Sequence, residues 1–475
     1  MSEHVASAEN PETPGNLENL DPALMMGKVV TKRGYFILLA DIVAALLLLD
    51  FLPCDPKVNA GLALLFFVGV LWLTEAIHVT ITALIVPVLA VCLGLTGVSK
   101  ALSLFGDPTI FLFFGGFALA TALHIQGIDR FIANRLLLLA KGHFGLAAMM
   151  LFLATAVLSM WISNTATAAM MLPLSMGILG NLDREKERNT FTFLLLGVAY
   201  SASIGGLGTL VGSPPNMIAA SHLGLDFADW MKYGLPLMFV MLPLMVGVLY
   251  LVFRPDFHHR VEVQAYAFPW STSRLLTLAI FLLAAACWIF SSQLSDFLGG
   301  IKQFDALIAV GAAVLIGISG VASWRQIQNN TEWGVLFLFG GGLALSAVLQ
   351  DSGASAIMAN AVSQSLGDNH GFIVLFASAI FIIFLTEFSS NTASAALMVP
   401  LFAVVGEALG LPAHLLPLVI GIGASMAFML PVSTPPNAIV FGTGLIQQKE
   451  MIRAGFFLVL VSAVVVSLFG WFVWR

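Results

Sequence analysis

Two polar words, each written twice, hold the residues of this chain whose types and spacing could do chemistry. The first is Ser163-Asn164-Thr165, set in residues 162–174; its copy is Ser390-Asn391-Thr392, set in residues 389–401. Nine of the thirteen positions match at a constant offset of 227. The second word is Gly212-Ser213-Pro214-Pro215-Asn216, answered by Ser433-Thr434-Pro435-Pro436-Asn437. Hydroxyl and amide side chains donate to anions and lend oxygens to cations. Consecutive prolines remove two amide donors, so a helix carrying them must unwind. Freed carbonyls and helix C-terminal ends suit a small cation, and N-terminal ends suit an anion. One Ser-Asn-Thr word alone would read as a capped turn. Two tips facing two broken helices predict two cation sites with an anion pocket between them.

The surroundings of these words are apolar. Of 475 residues, 59% are hydrophobic and 10% charged, and the mean hydropathy is +0.96. Soluble domains carry roughly 25% charged residues, so this chain belongs in a bilayer. No basic tract is interleaved with aromatics, which excludes a nucleic-acid partner. Cys54, Cys92 and Cys287 are scattered without CxxC or Cys/His spacing and read as inert thiols. No HExxH, Walker or haem word occurs, so neither an organic cofactor nor ATP-driven pumping is expected. Residues 1–27 hold four glutamates, one aspartate and no lysine or arginine; this is the wrong charge for a signal peptide and predicts a disordered cytosolic tail.

The elements that must position the words follow from span length, about 20 apolar residues each. Eleven spans are expected, near 34–53, 59–77, 80–97, 108–127, 190–222, 234–254, 272–291, 303–321, 333–350, 413–445 and 453–474. The Pro-Pro words fall inside 190–222 and 413–445, which are therefore broken. Blocks 144–180 and 372–405 carry the Ser-Asn-Thr words at their centres and are too long for one span. Helical hairpins that enter and leave on one side fit these blocks best, and two closely spaced complete spans fit the charges equally well.

With the amino terminus inside, fifteen of the twenty lysines and arginines fall in the cytoplasm, a positive-inside bias. Basic residues bracket the first hairpin, at Arg130, Arg135, Lys141, Arg184, Lys186 and Arg188; none brackets the second. The hairpins should therefore open to opposite sides. Two repeats of inverted topology result, 59–254 and 272–474, with a first helix (28–58) outside the duplication. Segment 129–141 is read as an interfacial helix or an ordinary loop helix.

Other polar residues are weighed against bland readings. Glu75 could be functional or simply face water at a span end, and Glu387 could tune a cation site or pair elsewhere. His124 reads as a hydrogen-bonded interior or interfacial residue. Phe114-Gly115-Gly116 and Gly340-Gly341-Gly342 read as close helix packing. Gly317-Ile318-Ser319-Gly320 looks like the nucleophile word of an intramembrane serine hydrolase, but that reading leaves the duplication unexplained. The chain is not expected to be an enzyme. With no lysine or arginine near the words, an anion must be held by amides, hydroxyls, helix N-termini and co-bound cations. Donors in twofold arrangement suit a substrate with two similar ends, such as a dicarboxylate.

Paired Ser-Asn-Thr words followed by Pro-Pro-Asn breaks resemble the divalent anion/sodium symporter family, close to its bacterial sodium/dicarboxylate cotransporters, over residues 59–474. The resemblance implies a homodimer in the bacterial inner membrane with a cytoplasmic N-terminus. It also implies an elevator mechanism importing succinate-like C4-dicarboxylates with Na⁺. Carried over by position, Asn164, Thr165, Ser213, Asn391, Thr392, Thr434 and Pro435 would bind substrate. One Na⁺ would sit with Ser159, Ser163, Asn164 and the Gly212 carbonyl. The other would sit with Thr386, Ser390, Asn391 and the Ser433 carbonyl. Ser159 and Thr386 share the 227 offset. A sodium-independent exchanger of the same fold is the alternative.

Overall fold

The computed structural model of the chain describes residues 31–180, 182–261, 268–358 and 371–475. The tail expected over 1–27 and most of the uncharged flank before the second hairpin lie outside the described residues. Among those described, the protein is all-helical apart from one isolated bridge between His143 and Arg260.

Helices begin where the sequence supplies caps. Thr31 accepts from the Gly34 amide (3.0 Å), Asp107 from Thr109 (2.9 Å) and Asp226 from Asp229 (2.7 Å). Pro56 and Pro108 open their helices, where a missing N–H costs nothing. Each of the eleven expected spans contains helix. Two of them, Val79–Cys92 and Phe304–Ser319, are shorter than a full crossing. The first ends in a turn with Gly94 at φ +68°. Lys32–Phe51 stays peripheral, with 11% of its apolar window buried.

Each Ser-Asn-Thr block is a helical hairpin: Phe144–Ser159 with Asn164–Leu179, and Gly371–Phe388 with Asn391–Ala408. Each Pro-Pro span is a broken helix: Arg188–Gly205 with Pro214–Leu223, and Leu415–Gly423 with Pro435–Phe441. The unwinding lies upstream of the prolines, which open the second half-helices at the first position. In the apolar window of Arg188–Gly208 every residue is buried. A helix wholly wrapped in protein can open its backbone at membrane depth without exposing it to lipid.

The helices pack as two bodies. One gathers both hairpins, both broken helices and the long helices Phe227–Phe253 and Gln448–Phe472. The other gathers the helices of 56–125 and 272–351. Within the first body the repeats exchange partners. Asn164–Leu179 packs on its own broken helix and on the second half of the other, Pro435–Phe441; Asn391–Ala408 does the reverse with Leu415–Gly423 and Pro214–Leu223. In the second body a Cβ on Gly115 would lie 2.4 Å from the Ala309 carbonyl, and one on Gly341 would lie 2.6 Å from Ala83 Cβ. The glycine words are packing surfaces, as expected.

Candidate functional site

Each hairpin turns within a few residues. Ser163 and Ser390 are the N-caps of the outgoing arms, accepting from the Ala166 and Ala393 amides at 3.3 and 3.4 Å. Each cap satisfies one orphan donor, and such a bond typically contributes about 1 kcal/mol. Capping is therefore real, but it uses only one residue of each word.

Behind the first tip, Ser159 Oγ lies 2.6 Å from the Asn164 amide and 2.7 Å from the Ala202 carbonyl. With its nitrogen turned inward, the Asn164 amide donates to Ser159 Oγ (2.6 Å), the Ala202 carbonyl (3.0 Å) and the Gly212 carbonyl (3.2 Å). With its oxygen there instead, the amide lies among three other oxygens, of which only Ser159 Oγ carries a proton, a set that lends itself to a cation. Gly206 permits this approach, since a Cβ on it would lie 2.5 Å from Asn164 Oδ1.

At the second tip the arrangement differs. Thr386 Oγ1 donates to the Ile383 carbonyl of its own helix (3.0 Å), and Asn391 Oδ1 is buried without a hydrogen-bond partner. Glu387, fully buried, accepts from the amides of Phe428, Met429 and Leu430 at 2.7 to 3.2 Å. It pairs with the unwound backbone.

The asparagines of the Pro-Pro-Asn words hold that backbone open. Asn216 Nδ2 donates to the Gly206 and Thr209 carbonyls at 2.7 and 2.8 Å. Asn437 Nδ2 donates to Ala427 and Leu430 at 3.4 and 3.1 Å, and to Ser433 Oγ at 3.1 Å. In both copies the carbonyls stand ten and seven residues before the asparagine. The repeats are also bolted together. Ser213 Oγ meets Ser425 Oγ at 3.0 Å, and Tyr200 donates to the Phe428 carbonyl at 2.7 Å.

Both tips and both breaks line one cavity of about 590 Å³. Ser163–Thr165, Gly212–Pro215, Ser389–Thr392 and Ser433–Pro436 form its wall on the first body. Leu73, Thr74, Glu75, Phe113, Phe117 and Glu332 form the wall on the second. All seven residues expected to bind substrate lie on this cavity. Ser159 and Thr386 do not; both are buried behind the tips. Four helices begin at the cavity, at Asn164, Pro214, Asn391 and Pro435. Three of them run ten residues or more and present a full positive dipole end to it. No lysine or arginine is among the lining residues.

Three features escaped the sequence reading. Glu332 faces the cavity from the start of Trp333–Asp351; an acid at the edge of an apolar run was the available signal. Asn216 and Asn437 act as carbonyl clamps, and the repetition of Asn at a fixed spacing after each break was the signal for them. The Ala202 carbonyl carried none. Elsewhere, His124 Nδ1 lies 2.8 Å from Asp129 Oδ2, the hydrogen-bonded role expected of it. Ser319 of the hydrolase-like word donates to the Ile316 carbonyl of its own helix at 3.2 Å.

The chain is an all-helical, multi-pass membrane protein with a polar cavity between two packed bodies, an architecture suited to a transporter. Comparison with known proteins agrees. Residues 69–423 match the family described as citrate transporter (CitMHS), and the chain belongs to that family. It is 56% identical over 459 residues to an uncharacterized transporter of Haemophilus influenzae, covering 94% of this chain and 100% of that protein. It is 32% identical over 449 residues to the sodium-dependent dicarboxylate transporter SdcS of Staphylococcus saprophyticus, covering 86% and 85%. The SdcS of Staphylococcus aureus is 31% identical over 451 residues, covering 87% and 85%. The membership expected from the paired words, in the divalent anion/sodium symporter family, holds. Among solved structures, the YdaH transporter of Alcanivorax borkumensis shares the fold, with a TM-score of 0.56 at 15% identity over 79% of this chain and 88% of that one.

Proposed function

We propose that the protein is a sodium-coupled symporter that imports C4-dicarboxylates such as succinate. The observation that carries this reading is the convergence of four helix N-termini and two Ser-Asn-Thr words on one cavity without a basic side chain. Those ends and hydroxyls would hold two carboxylates, with Asn164 and Thr165 at one end of the substrate and Asn391 and Thr392 at the other. Ser213, Thr434 and Pro435 would close the sides. Glu75 and Glu332 put negative charge on the opposite wall, so a dianion needs cations bound with it.

The two cation sites lie behind the tips. The oxygens gathered around Asn164, with Ser159, Ser163 and the Gly212 carbonyl, support the first. The unpartnered buried oxygen of Asn391 supports the second, which would also take Thr386, Ser390 and the Ser433 carbonyl. Relatives named sodium-dependent dicarboxylate transporters support the choice of ion and substrate.

The remaining features belong to the same reading. The repeats 59–254 and 272–474 are inverted, and their hairpins are re-entrant, opening to opposite sides. The body that carries the tips slides as an elevator past the body that carries Glu75 and Glu332, which forms a homodimer. The charge bias supports an inner-membrane protein with its N-terminus in the cytoplasm.

A binding experiment tests the site. Succinate should raise the melting temperature of the detergent-purified protein in Na⁺ but not in choline, and Asn164→Ala and Asn391→Ala should each lose that shift while remaining folded. An equal shift in choline would point to the exchanger instead. Full shifts in both variants would remove the tips from the site.

A further inference from the structure

A second constellation lies away from the cavity. Glu187 stands at the start of Arg188–Gly205, and Asp256 and His259 stand on the segment that links the two repeats. One ligand atom from each falls within 4.8 Å of the other two. His259 Nε2 is 3.3 Å from Glu187 Oε2 and 3.7 Å from Asp256 Oδ2. We propose that Glu187, Asp256 and His259 form a binding site for Zn²⁺ or a similar transition-metal dication that fastens the inter-repeat linker to the start of broken helix one.

The two separations made by His259 are close to those within a coordination shell. Zinc bonds nitrogen and carboxylate oxygen at about 2.0–2.2 Å, so the edges of its tetrahedron are roughly 3.3–3.6 Å. An ordinary ion pair fits less well: His259 Nε2 is buried, yet it makes no hydrogen bond despite two carboxylates nearby. The remaining atoms are already committed in the manner of an outer shell. Asp256 Oδ1 accepts from the His258 amide (2.9 Å) and lies 2.8 Å from His258 Nδ1, which leaves Oδ2 facing His259. Thr190 Oγ1 donates to Glu187 Oε2 (3.0 Å) and accepts from the Asp256 amide (3.2 Å), tying the two ligand-bearing segments together.

One histidine with two carboxylates suits zinc better than magnesium or calcium, which prefer all-oxygen shells. With Asp256 exposed, the fourth position opens to water, so the ion exchanges. The linker is already joined to hairpin one, since the Phe144 amide donates to the His259 carbonyl (3.1 Å) and the Val261 amide to Gly142 (2.9 Å). A metal here would tie this linker, already joined to hairpin one, to the start of broken helix one.

Titration of the untagged, detergent-purified full chain with Co²⁺ and then Zn²⁺ tests this without reference to transport. The wild type should show the visible band of tetrahedral Co²⁺ at one equivalent, displaced by Zn²⁺. His259→Ala, Asp256→Asn and Glu187→Gln should each weaken zinc binding on the order of 100-fold, more than the His258→Ala loss of roughly tenfold. If His259→Ala does not fold, the two near-isosteric variants carry the test. No saturable band in the wild type, or unchanged affinity in the variants, would overturn the site.

Discussion

The two hairpin tips are nearly the same in sequence, yet they hold their broken helices in different ways. At the offset of 227 that relates them, Met160 of the first corresponds to Glu387 of the second. In repeat one the chain beyond Gly205 winds into a short 3-10 turn, Gly206–Gly208, before Pro214, and Thr209 Oγ1 donates to the Met160 carbonyl. Repeat two has no such turn, and the amides of Phe428, Met429 and Leu430 are left to find an acceptor. Glu387 supplies it. The carbonyl side of both breaks is solved identically, by Asn216 and Asn437. The two copies share one half of the solution and differ in the other, because a buried amide needs an acceptor but not a particular one.

This difference can be broken experimentally. Glu387→Ala should have the largest effect. One buried and two half-buried amides would lose their acceptor, at about 1–3 kcal/mol for the buried one and less for the others, enough to deplete folded protein in a gel-filtration profile. Met160→Ala should leave that profile intact, and Glu387→Gln should fall between. If Glu387→Ala folds normally, the clamp is not what holds the second break open.

Asn164→Ala and Asn391→Ala come next, each lowering succinate uptake on the order of 100-fold, with melting temperature near wild type; that loss corresponds to about 2.7 kcal/mol. A smaller effect separates the two proposed cation sites. Ser159 contacts Asn164, whereas Thr386 bonds only its own helix. Ser159→Ala should raise the half-saturating Na⁺ concentration about tenfold, and Thr386→Val less than about threefold, as the loss of one hydrogen bond allows. Equal shifts would mean that the sodium-bound tips are more alike than the geometry described here. The smallest change is expected from Glu332→Gln, which removes one negative charge from the wall facing the tips. It should lower the half-saturating succinate concentration by about twofold, as weakening one partly screened like-charge contact allows.

Much of the fold could be read from the sequence because a bilayer leaves few choices. Spans reveal themselves by length, and a Pro-Pro pair cannot continue an α-helix. The cavity-lining residues were readable for a different reason: Asn164, Thr165, Asn391 and Thr392 are polar where polarity is costly, and they occur twice. Residues that act through a single copy were harder to see. Glu387 was visible as a buried acid, but its partners are amides more than forty residues away, and nothing in its neighbours names them. Glu332 sits just outside an apolar run, where an acid is ordinary at a water interface, so only the folded arrangement of the two bodies shows it facing the tips. The backbone carbonyls of Ala202 and Gly212 carry no side-chain signature of their own.

The most direct test of the central claim is radiolabelled succinate uptake into proteoliposomes holding the purified protein. An inward Na⁺ gradient would be compared with choline, in vesicles with and without internal succinate. Accumulation should require Na⁺ and proceed into vesicles empty of substrate. Uptake that ignores Na⁺ and requires internal dicarboxylate would contradict it.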